Sequence, residues 1–428
     1  MKNKFVRTTI ALIIGGFITK LFSLILKIIL TRSIDTETLG LYMTLTPTLM
    51  LMINLSQAGF PTAISKLVSE DNRNRKNLML SIFPILAILN ITIMILIFIS
   101  APTLTKLLQN KNLYLGIISI ALVIPFTSIS SIIRSYLFGT GKTFPHILSN
   151  IVESIIRLIL YKYYLPIVIK KKISYIICFL ILSNVLAEIS SIITMMIFLP
   201  KHLTFQKRDF LPKSAEVKDS LEISIPVTIT SLIGSIGYFL EPIILMNTLK
   251  LVGYKTSYIN YEYGIITGYV IPLILMPSFF TQAISQALLP SISKDYTNHK
   301  IKSVKRKIKF AILLSLLIGG IFTFLFVSTP NFYLEMIYHT SVGVNYIRIL
   351  SPIFLFYYIA LPISSSLDAM GKSKDHMKTT LSATIIRSLT LFLFSLFHIG
   401  LYSLLIATSV NILYTTIKDY QKLKTYLK

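Results

Sequence analysis

At 428 residues, 54% hydrophobic and only 14% charged, with a mean hydropathy of +0.72, the chain is too apolar to be a soluble globule. Its net charge of +25 and pI near 9.9 would point to nucleic acid in a soluble protein. Here the basic residues lie mainly in short segments between apolar runs, which is the pattern of membrane orientation, so nucleic-acid binding is excluded.

Taken in order, the apolar runs predict an all-α integral membrane protein with about twelve transmembrane helices. They fall near 8–30, 39–69, 78–100, 113–138, 145–166, 174–199, 221–246, 260–290, 308–328, 344–369, 377–396 and 399–417. Runs of roughly 20 residues suffice to cross a hydrocarbon core of about 30 Å. The first run is long and lacks a small-residue cleavage site, so it reads as a retained helix rather than a signal peptide. The second and eighth runs exceed the need of a bilayer and carry prolines near their middles (Pro47; Pro272 and Pro277), where tilt or a kink is expected. Cys178, the only cysteine, lies within an apolar run, so no intrachain disulfide is expected.

Lysine and arginine set the orientation. With the N-terminus in the cytoplasm, the inner segments hold most of the loop cations, among them Arg73, Arg75, Lys76, Lys142, Lys372 and the cluster from Lys294 to Lys309. The outer segments hold few, of which Lys170–Lys172 is the one local cluster against the rule. Both termini are therefore expected in the cytoplasm, with the chain in the membrane. The longest polar stretch separates the helices six and six. The expected organisation is an N-lobe over 1–200, a cytoplasmic linker over 201–220, a C-lobe over 221–417 and a basic cytoplasmic tail over 418–428.

Two stretches repeat one design. SSIIRSYLFGTGKTFPHILSNIVESIIRL, from Ser130, turns at Gly141-Lys142 and carries Arg157 sixteen residues after that glycine. SSSLDAMGKSKDHMKTTLSATIIRSL, from Ser364, turns at Gly371-Lys372 and carries Arg387 sixteen residues after its own. Ala63-Ile64-Ser65 and Ala283-Ile284-Ser285 add a weaker echo. A duplicated chain with parallel repeats, the habit of transporters, is the reading.

The motifs that could carry other chemistry fall away. Gly139-Thr140-Gly141-Lys142-Thr143 resembles the end of a phosphate-binding loop, but Tyr136 stands where the first glycine is needed and a membrane helix precedes in place of a strand. Nucleotide binding is not expected. The six histidines show no ligand spacing and no serine sits in a nucleophile elbow, so neither a metal site nor an enzyme is expected. The basic segment 294–309, with Ile301, Val304 and Ile308 on one stripe, reads either as a solvated loop or as an amphipathic helix on anionic headgroups.

Ionisable residues within the apolar runs remain. Each costs about 2.5–3.5 kcal/mol at the bilayer centre on insertion scales, so it normally faces a cavity or a partner. Lys20 and Lys27 share a face of the first helix; Glu153 and Arg157, four apart, share a face of the fifth and either neutralise each other or face a cavity. Glu188, Glu241 and Arg387 follow, with Arg134 and Asp368 nearer the helix ends; Arg387 has no evident neighbour in sequence. Lys20, Lys27, Arg157 and Arg387 sketch a cationic chamber suited to a pyrophosphate, which guanidinium groups clasp by paired hydrogen bonds. The acids Glu153, Glu188 and Glu241 are the candidates for charge pairing or for coupling to Na⁺ or H⁺. No other cofactor is expected.

The residues also resemble a family. NLSQAGFPTAISKLVSE (54–70), preceded by Leu39-Gly40-Leu41-Tyr42, is similar to the second-helix signature of the stage V sporulation protein B family of polysaccharide and lipid-linked oligosaccharide flippases. FLEPIILMNTL (239–249), EYGIITGYVIPLILMPSFF (262–280), LLPSIS (288–293) and SPIFLFYYIALP (351–362) extend the likeness in the same order. The resemblance implies the multidrug/oligosaccharidyl-lipid/polysaccharide exporter superfamily: two six-helix lobes in a V around a cavity that opens to each side in turn. It implies a polyprenyl-pyrophosphate-linked sugar as cargo, here a peptidoglycan precursor of the spore cortex. By the same likeness Lys20 and Arg32 fall at positions that are basic in lipid II flippases, whereas a further family arginine is Leu26 here, beside Lys27. Family members carry fourteen helices; this chain has about twelve, without the last two. A drug or cation antiporter of the same fold, and a non-transporting scaffold for wall synthesis, are the alternatives. A cationic chamber speaks against the antiporter, whereas cations packed in separate niches would favour the scaffold.

Overall fold

The computed structural model of the chain describes residues 2–70, 75–199 and 214–427. Arg73 and most of the expected linker, 201–213, lie outside the described residues. Helix is the one open-ended backbone form that satisfies every N–H and C=O within its own segment, which a lipid environment demands. Among the described residues the regular structure is entirely helical.

The chain divides into two compact units, Met1–Phe239 and Leu240–Lys428. The first contains α1 (Lys2–Ser33), α2 (Thr36–Gln57), α3 (Phe60–Val68), α4 (Arg75–Leu107), α5 (Tyr114–Gly139), α6 (Phe144–Tyr163), the single turn α7 (Leu165–Val168) and α8 (Ile173–Met196). Helix α9 (Ser214–Leu251) gives its first part, to Phe239, to this unit and the rest to the second. The second continues with α10 (Thr256–Gly264), a π-helical turn (Ile265–Val270), α11 (Ile271–Ile274), α12 (Ser278–Thr297), α13 (Ile301–Ser328), α14 (Pro330–Tyr338), α15 (Val344–Ala369), α16 (Ser373–Ser395) and α17 (Tyr402–Tyr426).

All twelve expected helical segments are present. Eight of the described helices are long and apolar enough to cross a membrane on their own, and the bent run from Thr256 to Thr297, taken as one broken span, brings the number to nine. Helices α16 and α17 fall below that measure because one opens on SKDHMKTT and carries Arg387, and the other ends on a polar turn. Many serines and threonines within the spans satisfy their hydroxyls on the preceding turn: Thr44 donates to Gly40 O at 2.8 Å, Ser366 to Pro362 O at 2.6 Å and Ser395 to Leu391 O at 2.6 Å. Thr48, Ser81, Ser315, Ser351 and Thr408 instead keep buried hydroxyls with no partner among the described residues.

The second run breaks, though not at its central proline. Pro47 sits inside a continuous α2. The interruption comes at Ala58-Gly59, both left-handed (φ +42° and +66°), before α3 opens on Phe60-Pro61. Gly59 is required twice over: a Cβ there would lie 2.4 Å from Ser224 O and 2.9 Å from Thr228 Oγ1 of α9. Asn54 donates to Ser235 Oγ at 2.5 Å, so the first part of α9 packs along this break. The eighth run breaks where expected, bending by 51° between Ile274 and Ser278 beside Pro277.

The two glycine turns are built identically. Gly141 (φ +78°) donates to Phe138 O at 2.9 Å and Lys142 to Leu137 O at 3.0 Å; Gly371 (φ +75°) donates to Asp368 O at 3.0 Å and Lys372 to Leu367 O at 2.9 Å. This is the paired-bond helix stop that needs a left-handed residue just beyond the last turn, a place for glycine. Beneath the first turn lies a core of Phe60, Ile64, Val68, Leu78, Ile132 and Leu137. Its counterpart in the second unit joins Ile292, Val304, Ile308, Ile363, Leu367 and Leu423. Val304 and Ile308 are 0% and 3% exposed. The apolar stripe of the basic segment is thus spent on the unit's own core, and the headgroup-lying helix gives way to the first turns of α13.

Candidate functional site

In the first unit, α5, α6 and α8 bring ionisable side chains together inside an otherwise apolar bundle. Arg157 donates to Glu153 Oε1 at 2.6 Å, one turn back on α6, and Arg134 of α5 lies 3.5 Å from Glu153 Oε2. The same Arg134 Nη2 donates to Ser191 Oγ of α8 at 3.1 Å and reaches Ser130 Oγ at 3.3 Å. Glu188 of α8 lies near Ser130 and within electrostatic reach of Glu153, Arg134 and Arg157. The cluster therefore holds two guanidinium groups and two carboxyl groups. Its pairing is incomplete: Arg134 Nε, Arg157 Nε and Glu188 Oε2 are buried with no hydrogen-bond partner. Two unmatched donors beside one unmatched acceptor can take a ligand that presents oxygens to the guanidinium edges.

The second unit answers with one pair. Arg387 of α16 donates to Glu241 Oε2 of α9, and the Tyr263 hydroxyl of α10 donates to Glu241 Oε1 at 3.2 Å. Glu241 is 4% exposed, so the guanidinium neutralises a carboxylate that would otherwise be stranded. Arg387 thus has a partner 146 residues away in the chain, which no local reading of its own helix reveals.

Of the seven expected site residues, Glu153, Arg157 and Glu188 meet in the first unit, and Glu241 meets Arg387 in the second. Lys20 and Lys27 lie on α1, exposed and half-buried respectively. That helix packs on α6, with Gly15 so close to Ile147 that a Cβ would lie 2.6 Å from its Cγ2. Arg134 is the member of the cluster that the sequence placed too near a helix end. The available signal was its spacing, since Ser130 and Arg134 are four apart on one helix face. Among the described residues no three His, Cys, Asp or Glu side chains gather as a metal site.

At the ends of α16 and α17 a separate polar lock forms. His376 Nδ1 and Asp419 Oδ2 are 2.6 Å apart, and Asp419 is 1% exposed. The hydrogen bond to Asp419 raises the His376 pKa above its ordinary value. Tyr426 donates to Asp375, which with the neighbouring lysines holds that carboxyl below the usual range.

Comparison with known proteins agrees with this architecture. The family described as "Polysaccharide biosynthesis protein" matches residues 5–296, and MatE matches residues 266–393. Stage V sporulation protein B of Bacillus subtilis is 28% identical over 90% of this chain and 77% of its own. Sporulation protein YkvU of the same organism is 24% identical, over 87% and 84%. Among solved structures, the inward-facing conformation of a multidrug resistance MATE family transporter of the MOP superfamily superposes with a TM-score of 0.79 at 15% identity, over 96% of this chain and 94% of that one. The outward-facing conformation of such a transporter gives 0.62 at the same identity, over 99% and 95%. With its family match covering about two thirds of the chain, the protein belongs to the polysaccharide biosynthesis protein family, and it is a multi-pass membrane transporter of the flippase and exporter type, not an enzyme.

Proposed function

We propose that the protein is a flippase for a polyprenyl-pyrophosphate-linked oligosaccharide, a peptidoglycan precursor used in building the spore cortex, carried across the cell membrane by alternating access. Both termini would then face the cytoplasm. The observation that supports this reading best is the Arg134–Arg157 pair, two guanidinium groups inside an apolar bundle, each with a buried Nε that no protein atom accepts. A pyrophosphate offers several oxygens to such edges, and it would offset the cost of holding the charges out of water. Lys20 and Lys27 on α1 would add positive charge for the headgroup. Arg387 and Glu241 act in this scheme as a neutral strut, with Glu188, whose Oε2 is unmatched, as the group to examine for H⁺ or Na⁺ coupling.

The test is accumulation of lipid-linked precursor on the cytoplasmic side of cells that depend on this protein. Arg157→Gln and Arg134→Gln each remove a charge-assisted hydrogen bond, worth about 1.5–3 kcal/mol, so transport should fall roughly tenfold to a hundredfold while protein level holds. Full activity in both variants would overturn the site. The match to MatE over the second half favours a second reading, export of cationic drugs. It predicts drug resistance that survives loss of Arg157 and fails on Glu188→Gln, with no change in precursor.

A further inference from the structure

In the second unit a groove of about 450 Å³ runs between the first turns of α13 and the last turns of α17, and neither Glu241 nor Arg387 lines it. Its rim carries Lys305, Lys309 and Lys424. Lys305 and Lys309, four apart, stand on one face of α13 and Lys424 comes from α17; all three are exposed. The floor is apolar, formed by Ile308, Ile312 and Leu423, and Leu427 closes one end. Among the described residues no acidic side chain lines it. The acids of the neighbouring turns are committed elsewhere: Asp295 to Lys307 at 2.6 Å and Ser303 at 2.6 Å, Asp419 to His376 at 2.6 Å and Asp375 to Tyr426.

We infer that this groove holds an anionic phospholipid of the surrounding bilayer, with its phosphate between the three lysines and the first part of an acyl chain over Ile308 and Ile312. Each half of the groove argues for half of that ligand. Cations at the mouth of a membrane span meet the headgroup layer, where anionic lipid is attracted by about 1 kcal/mol per basic residue. The floor continues along α13 (Ile301–Ser328), a helix long and apolar enough to cross a membrane beyond its basic first turns, so a chain leaving the phosphate would run along it into hydrocarbon. A free phosphate would leave the apolar floor bare, and an uncharged lipid would leave three ammonium groups crowded without a counter-charge.

The experiment uses the full chain, purified in detergent, with dioleoyl phosphatidylglycerol and dioleoyl phosphatidylcholine as probes and bound lipid counted by native mass spectrometry. The wild-type protein should retain phosphatidylglycerol in preference to phosphatidylcholine. The triple variant Lys305→Gln, Lys309→Gln, Lys424→Gln should lose that preference, at about fivefold per lysine. Replacing the same three lysines by arginine should keep it. The control, Lys302→Gln, Arg306→Gln, Lys418→Gln, removes equal charge from exposed positions on the same two helices outside the groove, and should change the preference less than twofold. The inference is overturned if both glutamine triples fall alike, if wild type retains the two lipids equally, or if millimolar inorganic phosphate displaces the lipid. It is also overturned if light scattering shows a dimer that only the groove variant dissociates, since the occupant is then a second copy of the chain.

Discussion

Removing Arg387 should destabilise the second unit far more than an ordinary substitution does, and removing Glu241 with it should give much of the loss back. Glu241 is 4% exposed and has two described partners, the Arg387 guanidinium and the Tyr263 phenol at 3.2 Å. In Arg387→Met the carboxylate keeps only the phenol, and breaking one side of a buried pair typically costs about 3–5 kcal/mol. For a unit of this size each kcal/mol moves the unfolding midpoint by roughly 2–4 °C, so the drop is on the order of 10 °C. The double variant Glu241→Gln, Arg387→Met leaves no buried charge and should recover at least half of that loss. Thermal unfolding of the purified protein in one detergent, followed for wild type, both single variants and the double, measures the coupling directly. Single effects under about 1 kcal/mol that simply add in the double would refute the idea that this arginine is held as a structural counter-charge. The same cycle in the precursor-accumulation assay separates roles: a strut predicts that the double variant still transports, and a cargo contact predicts that it does not.

Gly59→Ala should lower the thermal midpoint sharply, because the backbone is left-handed and the new Cβ meets Ser224 O at 2.4 Å, an overpacking that costs about 1–3 kcal/mol; Gly234→Ala, with open space around it in α9, should be neutral or mildly stabilising. The His376–Asp419 pair gives a pH dependence of definite sign. Since the folded His376 pKa is raised, its stabilisation is complete below about pH 6.5 and is lost as pH rises through the higher folded value; His376→Gln should flatten the midpoint against pH over 6–9, and an unchanged slope would contradict the assignment. Gly141→Ala and Gly371→Ala should each cost about 1 kcal/mol from backbone strain alone, as both Cβ atoms would meet nothing within 4 Å; unequal losses in the midpoint would show that the twin turns do different jobs.

The helices were legible because a membrane makes the signal simple: twenty apolar residues must be a helix, and all twelve runs became helical segments. Their interruptions were less so. Pro47 drew attention as a proline in mid-run, yet a missing donor is tolerated within α2, whereas the actual break depends on Gly59 fitting against Ser224 of a helix 165 residues away. The repeated Gly-Lys turns were readable in their positions, since a left-handed stop depends on one residue and its own helix. The Glu153–Arg157 pair was visible for the same reason, being four apart. Arg387 and Glu241 were each flagged, but their bond crosses 146 residues, and a one-dimensional reading has no access to it. Arg134 was set aside as an end-of-helix cation because its partners, Glu153 and Ser191, come from two other helices. The stripe of Ile301, Val304 and Ile308 was equally compatible with lipid and with protein, and only packing could decide.

The open surroundings of the two glycine turns give the molecule a built-in pair of labelling posts. A cysteine placed at Gly141 or Gly371 would have a Cβ with nothing within 4 Å, while the native Cys178 is half-buried beside Ser119. A membrane-impermeant maleimide applied to sealed cells would then colour the protein from one side only, and the two posts, made to one pattern in the two units, should report the same side.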